Sequence, residues 1–123
     1  MIESSHIDDN GVRVVFTGLV TSKELFDTAS HLYDHPGFGN WKYQLWIFHS
    51  VSDIVISVEE IRQLAERNKV ESLRNPGEKI AIVSDSPLVF GLARVYEGFY
   101  GDGPWQTVVF YEIDKAEAWI NTL

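Results

Sequence analysis

His31 and His35 stand four residues apart with Asp34 between them, a spacing at which one helix face offers two imidazoles to a single metal ion. No glutamate follows His31 as a His-Glu-x-x-His zinc motif requires, and no third ligand is evident. Pro36 follows His35 directly, and the residue before a proline is pushed out of helical geometry, so the two rings need not share a face. Metal ligation by His31 and His35 therefore stands beside a plainer role as surface or capping histidines. Ser84-Asp85-Ser86 falls at a strand-to-helix joint, where α/β sheets bind ligands and where a serine also simply caps the helix it begins. Nucleophilic catalysis has no visible apparatus, because the chain has no cysteine and no Gly-x-Ser-x-Gly elbow. Gly101-Asp102-Gly103 follows a helical stretch, the reverse of the context a dinucleotide loop needs. No cofactor is expected.

The elements that would position these residues are legible from period and punctuation. Residues 12–20 are β-branched and largely apolar, and a weaker strand near 2–8 pairs with them across Asp9-Asn10-Gly11, a hairpin signal. A helix runs over 22–34, with Thr21 and Glu24 at capping-box spacing and Leu25, Ala29 and Leu32 on one face. Residues 43–48 are apolar almost throughout and read as a strand covered on both faces. Ser57 and Glu60 open a second helix, carried by Val58, Ile61 and Ala65, that ends between Asn68 and Arg74. A strand at 79–84, a helix at 87–100 starting on Pro87, a strand at 106–112 and a last helix capped by Asp114 and Glu117 complete the chain. The order β-β-α-β-α-β-α-β-α predicts one α/β domain over 1–123. Its five-stranded sheet is mainly parallel, with one antiparallel edge strand.

Composition narrows the function. Eighteen acidic residues against ten basic ones give a formal charge of −8, and the basic residues are scattered, so nucleic acid is not an expected partner. No apolar run approaches the ~20 residues of a membrane-spanning helix, and the first residues lack a secretory pattern. With no cysteine, a cytoplasmic protein without a transmembrane segment is expected.

Three stretches taken in order carry a family resemblance: Lys-Ile-Ala-Ile-Val at 79–83, Phe-Gly-Leu-Ala-Arg-Val-Tyr-Glu at 90–97, and Val-Phe-Tyr-Glu at 109–112 running into Ala-Glu-Ala-Trp-Ile at 116–120. Together with His35-Pro36 and the element order, they resemble the SpoIIAA-like family of small, mostly uncharacterised bacterial proteins. That family is related to STAS domains and shares a fold with the lipid-binding CRAL-TRIO domains. The resemblance implies a β/α superhelical layer with an extra edge strand, and action by docking to partner proteins. Some STAS relatives are switched by serine phosphorylation in an Asp-Ser-Ser/Thr-Gly motif after the middle strand. Here that place reads His49-Ser50-Val51-Ser52-Asp53, without the leading aspartate or the glycine. Ser50 and Ser52 are thus weak candidates, read as loop residues that bond the local backbone.

The 87–100 helix is the most informative segment. Val89, Leu92, Ala93, Tyr96 and Phe99 supply a core stripe, yet Leu88, Phe90, Val95 and Tyr100 are apolar as well, with Arg94 and Glu97 its only charges. A helix apolar nearly all round is normally buried all round. Its cover is the chain's own 101–105 turn with Trp105, a second protein chain, or a hydrophobic ligand. Gly91 and Gly98, seven residues apart, permit close approach of another backbone. The expectation is a non-enzymatic binding module that contacts another protein or forms a homo-oligomer through Leu88, Phe90, Arg94, Glu97, Tyr100 and Trp105. A small hydrophobic or lipid ligand binder is the alternative, and a metal-dependent enzyme is third.

Overall fold

Alternation along the strands decides which side chains meet which layer. A computed structural model describes residues 1–122. β1 (Ile2–Ile7) runs antiparallel to β2 (Gly11–Thr21), and the Asp8 carboxylate accepts the Asn10 and Gly11 N–H groups in the turn between them. β3 (Tyr43–Val55), β4 (Lys79–Val83) and β5 (Gln106–Phe110) then add in parallel, so the five strands lie in the order β1-β2-β3-β4-β5. When each strand joins beside its predecessor, right-handed crossovers stack every crossover helix on the same side. Accordingly α1 (Ser22–Asp34), α2 (Val58–Glu71) and α3 (Pro87–Tyr100) share one face. The helix α4 (Ile113–Ile120), which follows β5, covers the other.

β3 and β4 serve both layers, as their apolar sequences require. Phe48 and Ile80 join the core beneath the three helices, with Val12, Val14 and Phe16 of β2. Leu45, Ile47, Ala81 and Val83 form the second core under Ala116. Among the described residues no helix is long and apolar enough to cross a membrane.

Local signals at the helix starts meet different fates. Thr21 with Glu24, and Ser57 with Glu60, each form both reciprocal bonds of a capping box. Thr21→Ala and Ser57→Ala should each cost about 1 kcal/mol in urea unfolding; loss of only a few tenths at both would show that these caps do not hold the joints. The Asp114–Glu117 pair makes no such box. Helix α4 begins two residues earlier than an Asp114 cap would set it, at Ile113 after Glu112, with no side-chain cap, and Glu117 instead pairs with Arg13 of β2. Ser86 likewise caps nothing with its side chain; its N–H donates to the Ser84 hydroxyl at 3.1 Å.

The largest departure lies in β3. The expected strand at 43–48 continues to Val55, so 49–55 is strand and not loop. Phe16 pairs with Phe48 but Gly18 with Val51, two steps on one strand against three on the other. Such an insertion is a β-bulge, and Ser50 there takes a positive φ of 51°. A polar, bulged segment shows no clean alternation, which is why the sequence pattern breaks off at Phe48 while the pairing continues. β5 ends at Phe110, short of 112.

Candidate functional site

Helix α3 lies on the sheet along Val89, Ala93, Tyr96 and Tyr100, its buried positions. These are spaced four, three and four residues apart, a single helical stripe. The stripe differs from the expected one at its end: Tyr100 is buried and Phe99 faces out, 38% exposed. Hydrogen bonding decides this, because the Tyr100 hydroxyl donates to Ser72 Oγ at 3.2 Å and accepts the Trp105 N–H at 2.9 Å. A phenylalanine there would leave the buried Trp105 N–H without its acceptor. Trp105 is also internal, its Nε1 donating to the Asn75 carbonyl at 3.1 Å. Tyr100 and Trp105 are therefore removed from the candidate contact surface.

Of the other candidates, Leu88 and Arg94 are exposed, and Phe90 and Glu97 are half-buried. Leu88 is 43% and Val95 38% exposed, and with Phe99 they form an uncharged outer face of α3. Gly91 and Gly98 fall on the same face, and a Cβ at either would meet nothing within 4 Å. Neither glycine is there to make room for this chain's own backbone. Arg94 is exposed and Glu97 half-buried on one flank. Burial pushes the Glu97 carboxyl above its usual range, and the nearby Arg94 pulls it back down. Phe90, half-buried, stacks on Tyr111 at 4.0 Å, so the 101–105 turn is not what covers it.

The inner side of α3 borders a partly open cavity of about 110 Å³ between the sheet and all three helices. Its walls are apolar, and its polar lining residues are few: Tyr33, Gln44, Asn68 and Tyr96 among them. Trp46, on the central strand, is half-buried against this space; its Nε1 donates to Gln44 Oε1 at 3.0 Å. Gln44 Nε2 in turn donates to Glu78 at 3.2 Å. Burial pushes the Glu78 carboxyl up to about 8, only partly offset by that bond. Asn68 Nδ2 donates to the Tyr96 hydroxyl at 2.7 Å. Asn68 Oδ1 and the buried Tyr33 hydroxyl have no partner among the described residues.

The remaining candidates do not converge. His35 leaves α1 as its extended C-cap, and its Nδ1 accepts the Gly37 N–H at 2.9 Å while the ring lies against Trp41. The helical i, i+4 geometry with exposed His31 is thus not formed. Among the described residues no three His, Asp or Glu side chains gather as a metal-binding group. Ser50 and Ser52 are exposed on the bulged stretch of β3.

No family model, curated protein or solved structure matches this chain.

Trp105 apart, the cavity residues were not singled out by sequence as ligand contacts, since they come from separate elements with no fixed spacing. One signal was available. Gln44 is the lone polar residue in the apolar run of 43–48, and a polar side chain inside a doubly covered strand needs a buried partner.

Proposed function

We propose that the protein is a non-catalytic contact module that pairs with a second copy of itself through the outer face of α3. The observation that carries this reading is the face itself: Leu88, Val95 and Phe99 lie exposed around two glycines that open onto empty space. Apolar side chains grouped in this way mark contact sites, and the glycines lower the surface where a second helix would sit. An apolar face of this kind is self-complementary, so two antiparallel copies of α3 related by a two-fold axis would cover Leu88, Val95 and Phe99 of each with those of the other. A chain of charge −8 also meets itself most cheaply on a face whose exposed side chains, Leu88, Val95 and Phe99, carry no charge. The resemblance to the SpoIIAA-like family, whose STAS relatives work by docking, agrees with this reading, as does a cytoplasmic address for a chain without cysteine.

One face of a 14-residue helix is at the small end of stable interfaces, and association in the micromolar range is expected. Analytical ultracentrifugation over a concentration series should show a monomer–dimer equilibrium. Val95→Asp should abolish the dimer with an unchanged melting temperature, because it places like charges face to face on a surface site. A wild-type chain that stays monomeric at concentrations far above that range would remove the reading.

A further inference from the structure

We infer that the outer edge of β5 is a second self-association surface, where two copies of the chain join antiparallel about a two-fold axis at Val108 and continue one sheet into the other. β5 ends the sheet on the side away from β1, and its backbone shows what that edge offers. The Gln106 N–H donates to the Glu78 carbonyl at 3.1 Å, and the Phe110 carbonyl accepts the Ser84 N–H at 3.0 Å. Strand alternation puts the backbone polar groups of Val108 on the same, inner side and turns those of Thr107 and Val109 outward, off the sheet. Nothing in the strand guards them. Gln-Thr-Val-Val-Phe holds no charge and no proline, and its register with β4 runs without a shift. The opposite edge differs: β1 carries Glu3 and His6, and its register shifts between Ile2 and Ser4, features that blunt an edge against further strands.

A second copy fits this edge because the edge is its own complement. With the axis at Val108, Thr107 of one copy lies opposite Val109 of the other, and the two exchange both N–H···O=C bonds, once on each side of the axis. Val108, 36% exposed, then faces its twin in a close, non-hydrogen-bonded pair. Gln106 falls opposite Phe110, and Glu112, just past the strand, falls opposite Pro104. A chain of charge −8 thus joins itself here with no like charges in register. The edge is also distinct from the α3 face. Phe90, which stacks on Tyr111 just past β5, lies on the flank of α3 opposite Leu88, Val95 and Phe99. Each chain therefore has two separate two-fold surfaces, and dimers formed through α3 link edge to edge into larger assemblies. A five-residue edge is a small contact, so this linkage sets in at concentrations about a hundredfold above those of α3 pairing.

The full chain carrying Val95→Asp, which removes α3 pairing, isolates the edge. In sedimentation velocity this variant should be monomeric at micromolar and dimeric at millimolar concentration. Amide hydrogen exchange should slow at Thr107 and Val109 as the dimer forms, and not at Val108, whose N–H already faces β4. Adding Val108→Lys sets like charges directly opposite each other and should restore the monomer at an unchanged melting temperature in dilute solution. Adding Gln106→Lys instead, at an exposed position opposite Phe110, should leave the dimer in place. A Val95→Asp chain that stays monomeric at millimolar concentration overturns the inference and leaves the edge to a foreign strand. So does a dimer that survives Val108→Lys, a dimer lost equally to Gln106→Lys, or exchange at Thr107 and Val109 that ignores concentration. The α3 reading fails separately, if Val95→Asp behaves as the wild type at micromolar concentration.

Discussion

Trp105→Ala should cost about 4 kcal/mol of unfolding free energy, making it one of the most damaging single changes available to this chain. The indole is 4% exposed, lies edge-on to Phe38 and parallel to Tyr100, and satisfies the Asn75 carbonyl. Truncation opens a void beside an existing cavity and strands that carbonyl without its donor. The region cannot easily collapse, because Asn75 itself is pinned by bonds from its Nδ2 to the Phe38 and Trp41 carbonyls at 2.8 and 2.7 Å. Urea unfolding measures the loss. A change below 1 kcal/mol would mean that Trp105 is a surface anchor after all.

Glu78→Gln should remove a pH dependence and not merely shift stability. In the folded protein the Glu78 carboxyl holds its proton up to about 8, against an ordinary value of 4.5. Between those values the folded state binds more protons than the unfolded chain, so stability falls as pH rises through the window and is lowest above it. At about 1.4 kcal/mol per unit, the loss between pH 5 and pH 9 approaches about 4 kcal/mol. A glutamine keeps an oxygen for the Gln44 amide and cannot ionise. The variant should match the wild type near pH 5 and exceed it at pH 9. Parallel stability profiles for the two chains would show that Glu78 ionises in the fold at no cost.

Much of the fold was legible because its cues are local. The hairpin at Asn10-Gly11, two of the three capping boxes and the bounds of α1 and α3 rest on residues within one turn of each other. Where the reading failed, a distant contact decided. Asp114 and Glu117 have capping spacing, but Glu117 is held by Arg13, 104 residues away. Phe99 and Tyr100 are equally greasy neighbours; only Ser72 and the Trp105 N–H, brought by other segments, turn the tyrosine inward. The uncovered face of α3 could be anticipated from its excess of apolar residues. The cavity could not, because volume is a property of how elements meet and no residue spacing encodes it.

The unbroken strand order has a bearing on how the chain acquires its shape. Every strand of the sheet pairs with the one just before it in sequence, so no early segment waits for a late one to complete its ladder. The three parallel pairings still close loops of about thirty residues, each spanned by a crossover helix, and non-local pairing of that kind slows folding. The chain emerges at roughly 5–20 residues per second, so each β-α unit can still settle onto a finished edge as it appears.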